Sequence, residues 1–144
     1  MNILVVTERP IEIDDFLKPL KRMHDVKLVI AQNGAVALGE IRLTPPAFVI
    51  VDEGLQDFKP LQLIPEIMKI NAMINTAVVS ALSPEEFHEA SEGLGILAPI
   101  PLKPNENDGL ELVTLFARFI YGSIPGVTPG DQGASIHQEK LVAI

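Results

Sequence analysis

Five short apolar runs, each followed by enough chain for a helix, constrain this sequence more than any other feature. They are Ile3 to Val6 (ILVV), Val26 to Ala31, Phe48 to Val51, Ala77 to Val79 and Ile96 to Leu102. Runs rich in β-branched residues and lacking polar alternation are the mark of strands buried on both faces. Helical spacing fills the intervals. Pro10 to Arg22 carries Ile13, Phe16, Leu17 and Leu20, with a kink or break expected at Pro19. Asn33 is placed to cap a helix through Leu43, and Pro60 to Ile70 forms a third helix. Ser83-Pro84-Glu85-Glu86 reads as a capping box opening a fourth helix that stops near Gly93 or Gly95. Leu110 to Tyr121 is the last. Strict alternation of this kind implies a parallel sheet with right-handed crossovers and helices on both faces. The expected fold class is α/β, a flavodoxin-like (βα)5 three-layer sandwich with strand order 2-1-3-4-5. Pro99 and Pro101 put the fifth strand at an edge.

Residues 1–122 form the folded domain in this reading. The Gly- and Pro-rich stretch 123–133 is a linker, and residues 134–144 regain helical character as the start of a C-terminal helix. The net charge of −8 argues against nucleic acid or an anionic membrane as a direct partner, since both need a basic surface. The absence of cysteine removes disulfides, thiol catalysis and zinc-thiolate sites, and fits a cytoplasmic setting. MNILVVTERP lacks the basic start and long apolar stretch of a signal peptide, and no run is long enough to span a membrane.

In open parallel sheets, sites form beyond the carboxyl ends of the strands. Glu8 follows the first strand, Asp52 the third, Ser80 the fourth and Lys103 the fifth. The expected strand order brings them to one crevice. Glu8 and Asp52 are hard oxygen ligands suited to Mg2+. A carboxylate beside a metal and an ammonium can attack a phosphoryl group, with the cations balancing charge on the transferring oxygens. Ser80 is placed to hydrogen-bond the attached phosphoryl. Taken alone, Asp52 is equally read as a turn cap, Glu8 as a solvated loop acid and Ser80 as a common strand-end residue.

With ILVV leading to Glu8, FVIVD ending at Asp52, VVSA at Ser80 and Ala81, and LKP at Lys103 and Pro104, the chain resembles the receiver domain of two-component response regulators over about Asn2 to Tyr121. The resemblance implies that Asp52 accepts a phosphoryl group from a phosphohistidine. It also implies that Glu8, Asp52 and the Gly54 carbonyl hold Mg2+, and that the Lys103–Pro104 bond is cis. Implied partners are a histidine kinase or phosphotransfer protein, with a homodimer formed through the last helix and tail. HQEKLVAI resembles the start of the dimerisation helix in sensor histidine kinases, which would make this chain the N-terminal receiver of such a kinase. His137 lies ahead of the segment that is phosphorylated there.

Four positions depart from the pattern: Gln56 and Pro60 stand where the family's loop after the acceptor carries a Pro and later a Gly, and two further departures bear on function. Thr7 stands where the family has a first acid, which weakens Mg2+ binding, and Ile100 stands where it has a switch aromatic. Both favour a second function, a pseudo-receiver that works by protein contacts without phosphorylation. A strand-end Asp nucleophile also suits a metal-dependent phosphatase, but the acid such enzymes carry two residues on is Gly54 here. A nucleotide site is disfavoured because TERP, not a glycine-rich loop, follows the first strand.

Overall fold

The computed structural model describes residues 1–121; the expected linker and C-terminal helix lie outside the described residues. The order is β1 (Asn2–Val6), α1 (Asp14–Lys21), β2 (Lys27–Ala31), α2 (Gly34–Leu43), β3 (Phe48–Val51), α3 (Pro60–Ile70), β4 (Asn75–Val79), α4 (Pro84–Ala90), β5 (Ile96–Ile100) and α5 (Glu106–Tyr121). The five strands form one parallel sheet in the order β2-β1-β3-β4-β5, as the alternation predicts.

Side chains alternate across the strands and so feed two cores. Ile3, Val5, Phe48, Ile50, Ala77 and Val79 pack against Phe16, Leu17 and Leu20 of α1 and Leu112, Val113 and Phe116 of α5. Leu4, Val6, Val49, Val51 and Val78 face α2, α3 and α4 through Ala37, Ile41, Leu63, Ile64, Ile67 and Phe87. Every residue of β3 is buried, so both cores run through that strand. Full burial of such side chains contributes about 1.5–3 kcal/mol each. Phe48 and Phe116 stack with ring centroids 3.9 Å apart and tie the sheet to α5.

Several boundaries differ from expectation. A turn occupies residues 10–13, so α1 begins only at Asp14; it then runs through Pro19 without breaking. The buried Pro19 ring lies under α5, where the backbone of Gly109 leaves room for it. A side chain at Gly109 would meet the Phe16 carbonyl oxygen, so this glycine lets the two helices close together. Helix α5 starts four residues before the expected Leu110, because Asn105 caps it: the Asp108 amide donates to Asn105 Oδ1 at 3.0 Å and the Asn105 amide to Asp108 Oδ2 at 2.8 Å.

Strand β5 ends at Ile100 rather than Leu102. A register shift between Thr76 and Ala77 skips Leu97, so Ala98, Pro99 and Ile100 pair with Ala77, Val78 and Val79. The Ser80 amide donates to the Ile100 carbonyl at 3.0 Å. The polar backbone of Ile100 therefore faces β4, and that of Pro99, one residue away, faces outward. Here a missing N–H costs no ladder bond.

Candidate functional site: a saturated carboxylate

β1 lies between β3 and β2, and the β1–β3 and β1–β2 ladders each continue one residue past a strand end. The Asp52 amide donates to the Val6 carbonyl at 2.9 Å, and the Thr7 amide to the Ala31 carbonyl at 2.9 Å. This extension places the Thr7 and Asp52 side chains together at the carboxyl end of the sheet, both 0% exposed. A buried carboxylate with no partner would cost several kcal/mol.

Its partners come from three directions. Thr7 Oγ1 donates to Asp52 Oδ2 at 2.7 Å. Arg9 Nε donates to the same oxygen at 2.8 Å, and Arg9 Nη2 donates to Oδ1 at 2.9 Å. The Glu53 amide also donates to Oδ1, at 2.9 Å. Each carboxylate oxygen thus accepts two hydrogen bonds, which fills the roughly four lone-pair sites of the group. The Arg9 fork is bidentate and charge-assisted, the strongest form of such contact. Hydrogen bonding to Asp52 raises the Arg9 pKa above its ordinary value, against the opposing effect of burial, so the guanidinium stays charged.

Arg9 is itself held in place. Its amide donates to Thr7 Oγ1 at 3.0 Å, closing a short turn that aims the side chain back over the strand ends. Nη2 also donates to the Leu102 carbonyl at 2.7 Å, and Nη1 lies 3.9 Å from Glu12. One guanidinium therefore spans the loops that follow β1, β3 and β5.

The other expected site residues do not share this cluster. Glu8 is exposed and accepts a bond from the Gln56 amide at 3.3 Å. Ser80 Oγ accepts from the Leu82 amide at 3.1 Å, a local turn contact. Lys103 is exposed, and the cation on Asp52 is Arg9 instead. All described peptide bonds are trans, so the expected cis bond at Lys103–Pro104 is corrected; trans is favoured for an X–Pro bond by about 0.5–1 kcal/mol unless the surroundings demand otherwise. Gly54 has a positive φ of 84°, which the tight turn after Asp52 requires. Ile100 is 4% exposed and packs in the α1–α5 core.

These residues do not fit a divalent cation. Mg2+ calls for several free oxygen ligands in near-octahedral array. Asp52 has no free lone pair, and Glu8 is turned to the Gln56 amide. Among the described residues, no group of three or more His, Cys, Asp or Glu side chains could hold a metal.

Arg9 was not foreseen from the sequence. The available signal was a cation two residues after Thr7, in the loop that had lost an acid.

No protein-family model matches the chain, and no curated protein matches it. Solved structures do match in fold. A CheY-like response regulator receiver domain protein from Methanospirillum hungatei is 21% identical, with a TM-score of 0.68 over 84% of this chain and 98% of its own. The non-phosphorylated receiver domain of the stress response regulator RcsB from Escherichia coli is 15% identical, with a TM-score of 0.69 over 85% and 94%. The Mn2+-bound form of the response regulator Rcp1 is 20% identical, with a TM-score of 0.64 over 88% and 96%. The chain therefore has the receiver fold.

Proposed function

We propose that this chain is a receiver-fold signalling domain that acts through protein contacts and not through phosphoryl transfer at Asp52. The observation that carries this reading is the saturation of Asp52 by Thr7, Arg9 and the Glu53 amide. A nucleophilic carboxylate must offer a lone pair to phosphorus. To do so, Asp52 would have to shed the Arg9 fork; breaking a fully buried ion pair costs about 3–5 kcal/mol, an upper limit here because Arg9 keeps 23% of its side chain exposed. At ~1.4 kcal/mol per decade, the reactive form is reduced by at most roughly two to four orders of magnitude.

A partner of the histidine-kinase class is supported by the resemblance of HQEKLVAI, residues 137–144, to the start of a kinase dimerisation helix. Self-association through α5 is supported by Leu110 and Phe119, which α5 leaves 45% and 52% exposed. A cytoplasmic setting belongs to the same proposal; no helix among the described residues is long and apolar enough to cross a membrane.

The test is intact mass after incubation with acetyl phosphate and Mg2+, for wild type and Asp52→Ala. The expected result is no added phosphoryl group on either. Stoichiometric addition to the wild type, abolished by Asp52→Ala, would restore the phosphoacceptor role of Asp52 with Lys103 and Ser80 as its supports.

A further inference from the structure

The poor fit to a metal raises the question of what neutralises Asp52. We infer that Arg9 is the built-in cation of this site, doing for Asp52 what a bound divalent ion would do, and that the same guanidinium clamps the β5–α5 connection through the Leu102 carbonyl. This inference rests on the reading of Asp52 as a sealed carboxylate.

Charge balance is the first argument. The buried site holds one carboxylate, Asp52, and one guanidinium, Arg9, which is 23% exposed at its side chain. Together they are neutral. A dication facing Asp52 alone would leave an uncompensated positive charge in a buried position, which is strongly unfavourable. Thr7, the other buried side chain here, adds a hydroxyl donor and no charge.

Geometry is the second argument. The guanidinium plane presents Nε and Nη2 to the two carboxylate oxygens at 2.8 and 2.9 Å, a match that a spherical ion cannot reproduce. Nη2 has a second hydrogen, and it goes to the Leu102 carbonyl at 2.7 Å. Asp52 and Leu102 are thus joined through one nitrogen. A lysine could balance the charge, but its compact ammonium lacks the rigid fork that makes these contacts together.

The consequence is a site that takes no divalent cation and holds the β5–α5 connection in one state. Mn2+ is the probe, because its unpaired electrons broaden nearby NMR signals. The experiment uses the 15N-labelled full chain as wild type, Arg9→Lys and Arg9→Gln. In the wild type, a slowly exchanging Arg9 Nε–H signal is expected to survive equimolar Mn2+, with the Asp52 and Glu53 amides left sharp. Arg9→Gln is expected to bind Mn2+ on the order of tenfold more tightly or better, broadening those amides, since a repelling charge has gone. In both variants the Leu102 and Lys103 amide signals should move while those of β1 and β3 stay in place.

Three results overturn the inference. One is selective broadening of Asp52 and Glu53 in the wild type. A second is an Arg9→Gln protein that gains no Mn2+ affinity. The third is unchanged Leu102 and Lys103 signals in both variants. The wild-type titration decides the metal question even if a substitution prevents folding. The phosphoryl mass test reads covalent addition, whereas this one reads metal and loop state, so either reading can fail without the other.

Discussion

At the scale of single residues, the site's stability rests on bonds to charged groups that have no solvent to replace them. Thr7→Val removes one donor from Asp52 and keeps the side-chain shape. A hydrogen bond to a charged group contributes about 1.5–3 kcal/mol, so a loss of about 2 kcal/mol is expected in urea unfolding at neutral pH. A loss below about 0.5 kcal/mol would mean that Thr7 merely fills space. Asp57 is a second carboxylate the sequence reading passed over. It accepts from the Gly34 and Ala35 amides at 2.9 Å each and so helps cap α2 from 22–23 residues away. Burial pushes its pKa up, but these amides and those of Asp57 and Phe58 outweigh it and hold the carboxyl below its ordinary value. A lowered folded-state pKa gives stability that is complete above the unfolded value of about 3.9 and is lost as pH falls through the folded one. Asp57→Ala should cost at most about 1 kcal/mol at pH 7, the value of a lost cap reduced by solvent screening of this exposed group, and less in acid below both values, where only the neutral carboxyl accepts from the amides. Equal destabilisation at both pH extremes in denaturant titrations would reject that assignment. Both Asp57 and Arg9 work across sequence gaps, which explains why neighbouring letters did not reveal them.

At the scale of elements, local chemistry was legible where a single strong signal marked each end. Asn33 caps α2, its side chain accepting from the Val36 amide at 2.8 Å. Ser83 and Glu86 form the reciprocal box of α4. The bounds of α3 are Pro60 and Ile70, as expected, although Pro65 lies inside it. The start of α5 lies four residues ahead of the expected Leu110, so Gly109 falls inside the helix. There it is needed for contact with Phe16. Two glycine substitutions test this role. Gly109→Ala should destabilise by about 1–3 kcal/mol, because a methyl group would push against backbone. Gly39→Ala, in α2 with nothing within 4 Å of the new carbon, should stabilise by about 0.5–1 kcal/mol. Thermal unfolding of the two proteins checks both signs; a Gly109→Ala protein as stable as the wild type or more so would show that the α1–α5 spacing is not set at Gly109.

At the scale of the whole molecule, the two cores divide β3 between them, Phe48 and Ile50 facing one and Val49 and Val51 the other, and so cannot be lost separately. Phe116→Ala removes the ring stacked on Phe48 and should cost about 3–5 kcal/mol. Far-UV and near-UV circular dichroism should report one coincident transition, shifted as a whole; two separated transitions would mean that the faces unfold independently. The sheet order was legible because alternation and handedness leave few topologies, and the prolines of the last run fixed which strand lies outermost. Those prolines have another effect. A sheet edge whose amides point outward in a row is a template for a strand from a second molecule. On the β5 side that row is broken by the skipped Leu97 and by Pro99, which has no hydrogen to give. Sheet growth between molecules, whether strand exchange or fibre formation, is thereby confined to the β2 edge, Lys27–Ala31. A sheet that can be extended from one side only cannot be threaded into an endless ribbon by repeating the same contact.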